Sequence, residues 1–79
     1  MQVTVKLYAT LGRYGRGKQP RSPLEMKLSE EATLQDLFNQ LKIPLEEIRI
    51  TFVNGVIQEA GWKLKDGDEV GMFPPIGGG

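Results

Sequence analysis

Residues 66–79 read Asp66-Gly67-Asp68-Glu69-Val70-Gly71-Met72-Phe73-Pro74-Pro75-Ile76-Gly77-Gly78-Gly79. Asp66-Gly67-Asp68 has the composition of a tight turn. Glu69 to Phe73 then reads as a strand with Val70 and Met72 on one face. Phe73 falls on the other face with Glu69 and Gly71, where it either offers a docking surface or folds back over the edge of the core. The strand cannot run on. Each proline fixes φ at about −65° and lacks the N–H that a sheet requires, so the pair favours an extended stalk. Glycine has no Cβ, so its backbone passes through slots too narrow for other residues. A stiff stalk thus carries a thin thread ending in a carboxylate. With a pKa of about 3.5 that carboxylate is charged at neutral pH, and it becomes an electrophile only if another enzyme activates it. Terminal glycines alone are an ordinary frayed end; the strand and stalk leading into these give them a second meaning.

The rest of the chain supplies partners for that strand. Ile50 to Val53 reads as a strand, Asn54-Gly55 is a strong hairpin signal, and Val56-Ile57 is the return. Trp62 to Lys65 connects it to the final turn, with Leu64 as core anchor. At the other end of the chain, residues 2–8 alternate with Val3, Val5 and Leu7 on one face, and Leu24, Met26 and Leu28 repeat the pattern. These two runs fit an antiparallel pair. Residues 9–23 between them hold Gly12, Gly15, Gly17, Pro20 and Pro23 and read as a flexible basic loop. Thr33 is a helix N-cap with Asp36 three residues on, a relative of the capping box. Leu34, Leu37, Phe38 and Leu41 form one apolar stripe, Ile43-Pro44 ends the helix, and Leu45 to Ile48 adds a short turn. One helix on one face of a mixed four- to five-stranded sheet is a two-layer α+β domain over residues 1–75, with a flexible Gly-rich tail at 76–79.

Composition narrows the chemistry. Seventy-nine residues form one small core. Roughly three-fifths of the unfolded surface is buried at this size, which leaves no room for a deep cleft. There is no cysteine and no histidine, which removes thiolate metal sites, the cysteine nucleophile and the usual general base. The pairs Glu30-Glu31 and Glu46-Glu47 and the group Asp66, Asp68 and Glu69 read as solvated surface charge. A carrier or binding module is expected rather than an enzyme. No apolar run approaches a membrane span and no signal-peptide pattern is present, so the expected address is cytoplasmic. The net charge is zero, yet residues 1–28 carry six Lys and Arg against Glu25 alone. Such segregation suits steering toward a partner.

Two motifs are set aside. Gly12-Arg-Tyr-Gly-Arg-Gly17-Lys18 has the spacing of a phosphate-binding loop. Gln19 replaces the hydroxyl residue that would hold magnesium, and Pro20 and Pro23 block the helix that would receive the phosphate. The same basic loop, with Tyr14 in it, lacks the aromatic platforms of a nucleic-acid site, so no nucleic acid is expected. Trp62 reads as a partial packing residue.

The terminal stretch Asp66 to Gly79, together with Val53-Asn54-Gly55 and Ala32-Thr33-Leu34-Gln35-Asp36-Leu37, resembles the MoaD/ThiS family of ubiquitin-like sulfur carriers over essentially the whole chain. The resemblance implies a ubiquitin-like β-grasp, in agreement with the element order above. It implies that a ubiquitin-activating-type enzyme (MoeB/ThiF-like) uses ATP to adenylate the terminal glycine, and that a sulfur donor converts the adenylate to a thiocarboxylate. Carried over by position, Gly79 would hold the sulfur, Gly77 and Gly78 would thread into partner active sites, and Phe73, Pro74 and Pro75 would dock. The carrier would bind no cofactor or metal of its own and would be a monomer when free. Phe73-Pro74-Pro75 is closer to the small subunit of molybdopterin synthase than to the thiamine carrier. The expected acceptor is therefore the synthase large subunit, in molybdenum or tungsten cofactor synthesis. Gly77 departs from that pattern, which often has a small residue bearing a Cβ. Thiamine thiazole synthesis and protein modification by a ubiquitin-like tail remain the alternatives.

Overall fold

In the chain's computed structural model, residues 1–15 and 22–75 are described. Five strands form a single mixed sheet in the order β2-β1-β5-β3-β4. They are β1 (Gln2–Leu7), β2 (Leu24–Lys27), β3 (Ile50–Val53), β4 (Val56–Ile57) and β5 (Glu69–Phe73). The other neighbouring pairs are antiparallel; β1 and β5 run parallel, with Val5 opposite Val70 and Leu7 opposite Met72. The last strand in sequence is thus the central strand in space. A ubiquitin-like α+β β-grasp results, with one helix, α1 (Leu34–Leu41), on one face.

Alternation settles which face is which. Val3, Val5 and Leu7 of β1 and Val70 and Met72 of β5 are all at most 4 % exposed and face α1. The helix returns Leu34, Leu37, Phe38 and Leu41, its buried stripe. A Leu or Met side chain buried this fully contributes roughly 1.5–3 kcal/mol relative to its exposed state, so this layer carries the stability. Thr33 caps the helix reciprocally: its hydroxyl accepts from the Asp36 N–H at 3.3 Å and its own N–H donates to the Asp36 carboxylate at 2.9 Å. The helix stops at Lys42, whose left-handed φ of 62° turns the chain one residue before Ile43-Pro44. A short 3₁₀ turn, Leu45–Glu47, leads into β3.

Two expectations are corrected. Residues 9–23 are not all flexible loop: Ala9–Tyr14 form a 3₁₀ helix, and Leu11 within it is fully buried. One apolar anchor among glycines and basic residues leaves no periodicity to read. Gly12, Arg13 and Tyr14 of the phosphate-loop spacing lie in this turn, and residues 16–21 lie outside those described. The second correction is Asp68, expected as solvated charge but only 7 % exposed. Its carboxylate accepts from the Asn54 side-chain amide at 2.9 Å and from the Lys65 N–H at 2.8 Å. Asn54 in turn accepts from the Glu69 N–H at 2.9 Å. Asn54 and Gly55 have φ of 52° and 85°. Both are positive, as the tight hairpin turn requires. Asp68 therefore fastens the β3–β4 hairpin to the start of β5. The Trp62 carbonyl accepts the Leu34 N–H at 3.0 Å, and Leu64 is buried as expected.

Candidate functional site

β5 leaves the sheet between two neighbours that hold its last backbone groups. The Tyr8 N–H donates to the Met72 carbonyl at 3.0 Å, and the Arg49 N–H donates to the Phe73 carbonyl at 2.8 Å. The chain is fixed from both sides up to the residue before Pro74. From there the missing proline N–H groups end the ladder. Pro74 is half-buried and Pro75 exposed.

Phe73 stands on the open face of the sheet, opposite α1. Its ring stacks on Tyr8 with centroids 4.2 Å apart and planes 3° from parallel. It meets Phe52 edge-on at 5.6 Å and 79°. Both geometries suit the aromatic quadrupole and fix the orientation of Phe73. The ring neither projects freely nor folds back over the core edge; it is half-buried among other aromatic residues of the open face. Beside it runs an open groove of about 790 Å³, lined by Ile48, Ile50, Phe52, Phe73, Pro74 and Pro75, with Glu46 and Arg49 on its rim. Phe73, Pro74 and Pro75 are thus brought together on one apolar surface. The expected tail at 76–79, with Gly77, Gly78 and Gly79, lies outside the described residues.

Tyr8 and Phe52 also belong to this surface and were not among the expected docking residues. Each is the outward member of an alternating run, Tyr8 after buried Leu7 and Phe52 between buried Thr51 and Val53. That signal was available. Their convergence on Phe73 was not, because it depends on the β1–β5 and β3–β5 registers.

One ion pair frames the exit of β5. Arg13, after β1, reaches Glu47, just before β3, so the bridge spans the end of the strand lying between them. Arg13 also donates to the Tyr14 hydroxyl at 3.3 Å and lies 5.1 Å from the ring centroid. The bond to Tyr14 and the facing Glu47 carboxylate hold the guanidinium above its ordinary range. Elsewhere, Glu25 is held below the usual carboxylate range by bonds from Gln2 and Thr4, and Glu31 by the bond and charge of Lys63. Among the described residues no acidic cluster is placed to hold a metal ion, and no helix is long and apolar enough to cross a membrane.

A small β-grasp whose central strand ends in an aromatic platform and a diproline stalk defines a class: the ubiquitin-like proteins. The sequence model of the ThiS family matches residues 17–79, and the chain belongs to that family. No curated protein sequence shows a significant match. Among solved structures, small archaeal modifier protein 1 from Haloferax volcanii superposes with a TM-score of 0.76 at 22 % identity, with 100 % of both chains covered. A Pyrococcus furiosus protein described as molybdopterin converting factor subunit 1 gives 0.72 at 29 % identity, covering 95 % of this chain and 98 % of that one. A chain from the complex of subunits 1 and 2 of the Helicobacter pylori molybdopterin-converting factor gives 0.63 at 21 % identity, with 100 % of both chains covered.

Proposed function

We propose that this protein is a cytoplasmic sulfur carrier that feeds molybdopterin formation. The Gly79 carboxylate attacks the α-phosphorus of ATP in a ubiquitin-activating-type enzyme and expels pyrophosphate. Hydrosulfide supplied by a sulfur donor then attacks the acyl-adenylate carbonyl and expels AMP, leaving a thiocarboxylate on Gly79. The thiocarboxylate is handed to an accepting synthase, of the kind paired with subunit 1 in the Helicobacter pylori complex. Gly77 and Gly78 let the thread enter each active site, and Phe73, Pro74 and Pro75 dock beside it. Adenylation needs ATP in the activating enzyme and no cofactor in the carrier.

The observation that carries this reading is the position of β5. The strand leading to the thread is the central one, clamped on both sides and flanked by an apolar groove, so a partner can grip a rigid platform while reaching the carboxylate. Kinship with the Pyrococcus furiosus subunit favours the molybdopterin branch over the thiazole branch. The test is intact mass after incubation with ATP, an adenylating enzyme and a sulfur donor. The expected result is one oxygen replaced by sulfur, mapped to Gly79. Lysine-linked conjugates without that mass change would turn the assignment to a protein modifier, the role named for the Haloferax volcanii relative.

A further inference from the structure

The hairpin that Asp68 fastens carries reactive chemistry in its turn. Asn54 and Gly55 are both exposed, and a Cβ at Gly55 would meet nothing within 4 Å. In an Asn-Gly pair no side chain shields the glycine nitrogen, so it can attack the neighbouring carboxamide carbon. A bond forms between Gly55 N and Asn54 Cγ, ammonia leaves, and a five-membered succinimide ring closes. Water then opens the ring at either carbonyl, giving aspartate or its β-linked isomer. The sequence of steps consumes water and releases ammonia, with no redox change. Asn39, the other asparagine of the chain, precedes Gln40 within α1, where a side chain and the helical backbone both hinder the same attack.

The native fold withholds the Asn54 carboxamide from this reaction. Its Nδ2 donates to Asp68 Oδ1 at 2.9 Å, and its Oδ1 accepts the Glu69 N–H at 2.9 Å. The Asn54 N–H donates to the Glu69 carbonyl at 2.8 Å, so backbone and side chain are both tied to the start of β5. Ring closure would swing Cγ back onto the chain's own backbone and forfeit both side-chain bonds. We propose that Asn54 is a deamidation site gated by Asp68. It reacts in molecules whose hairpin has come away from β5, and its product keeps the hairpin from being refastened. The second half follows from the same contacts. Aspartate at position 54 sets a carboxylate oxygen where the amide donor faced Asp68, and two carboxylates so placed repel. The isomer adds a methylene carbon to the main chain of a two-residue turn whose φ values are both positive. A transient local opening is thereby made permanent.

Peptide mapping tests this. Trypsin separates the two asparagines, Asn39 in residues 28–42 and Asn54 in residues 50–63. The full chain is held at mildly alkaline pH, folded or in guanidinium chloride, and each peptide is followed for the mass change of an amide becoming a carboxyl group. Asn54 is expected to react about tenfold or more faster in the denaturant than in the folded chain. In the denaturant it should also outpace Asn39. Folded Asp68→Ala should react about tenfold faster than folded wild type, because the missing bonds are those that opposed opening. Asn54→Asp, which mimics one product, should melt about 5 °C or more below wild type. Circular dichroism checks the folding of each variant, and the comparison of folded with denatured wild type stands whether or not Asp68→Ala folds. Equal rates in those two wild-type samples, or in folded wild type and folded Asp68→Ala, overturn the gating. Reaction at Asn54 no faster than at Asn39 in the denaturant overturns the site. Melting of Asn54→Asp together with wild type overturns the claim that the product holds the hairpin open.

Discussion

The two faces of β5 make opposite use of one strand. Toward α1 stand Val70 and Met72, almost wholly buried and in register with buried Val5 and Leu7 of β1. Toward the open side stand Glu69, Gly71 and Phe73, half-buried or exposed, with an aromatic group that has no second layer above it among the described residues. Residues one apart in sequence thus belong to different physical problems, one of packing and, on the function proposed above, one of recognition. A sheet with only one face covered allows this division, because the pleat sends neighbours to opposite sides. Mutations along five residues should separate stability from partner binding.

The sharpest test sets Met72 against Phe73. Met72 is fully buried. Met72→Ala should therefore cost about 2–5 kcal/mol in denaturant unfolding, a large share of the stability of a small domain. Phe73→Ala should cost less, on the order of 1 kcal/mol for its aromatic contacts, yet weaken capture by the activating enzyme far more. Equal losses of stability from the two changes would break the contrast. Next comes Asp68, where the turn before β5 is fastened. Asp68→Ala strands the Asn54 amide and the Lys65 N–H. Leaving those donors unmet should cost about 1–3 kcal/mol. Faster hydrogen exchange at the β3–β4 hairpin would locate the damage.

Smaller effects should follow on the covered side. Thr33→Ala removes the helix cap. It should lower stability by about 1 kcal/mol without changing enzyme binding. The smallest is a pH effect on the edge pair β1–β2. Glu25 is depressed below its ordinary 4.5 by bonds from Gln2 and Thr4. Its folded pKa lies below its unfolded one, so its contribution is complete above the unfolded value and disappears as pH falls through the depressed folded value. Glu25→Gln should therefore narrow its gap in melting temperature from wild type on acidification. A gap that widens instead would refute the assignment.

The covered face was legible in the sequence because its signals are periodic. Val3, Val5 and Leu7 give the strand period, while Leu34, Leu37, Phe38 and Leu41 give the helical one. Thr33 and Asp36 mark the helix start by direct hydrogen bonding. The open face was legible only at Phe73 and the prolines, whose chemistry is local. Tyr8 and Phe73 stand near opposite ends of the chain, and their stack exists only because β1 and β5 pair in parallel. Asp68 was misread because a lone carboxylate in an Asp-Gly-Asp turn has the composition of solvent-facing charge. Its partners, an amide from another hairpin and a backbone N–H, appear only after folding. The 3₁₀ helix at Ala9–Tyr14 is too short, and too poor in apolar residues, for any period to register.

The central place of the last strand bears on how the chain is born. β1 and β2 can pair early, and so can β3 and β4, but among the described residues the two pairs meet in the sheet only through β5. Domains fold as units as they emerge from synthesis, and contacts distant in sequence come late. A ribosome must therefore release residues beyond Phe73 before the sheet can close. A chain cut short before β5 lacks the packing of Tyr8 and Phe52 on Phe73. The topology thus makes the aromatic platform a late product of folding, present only once β5 has closed the sheet.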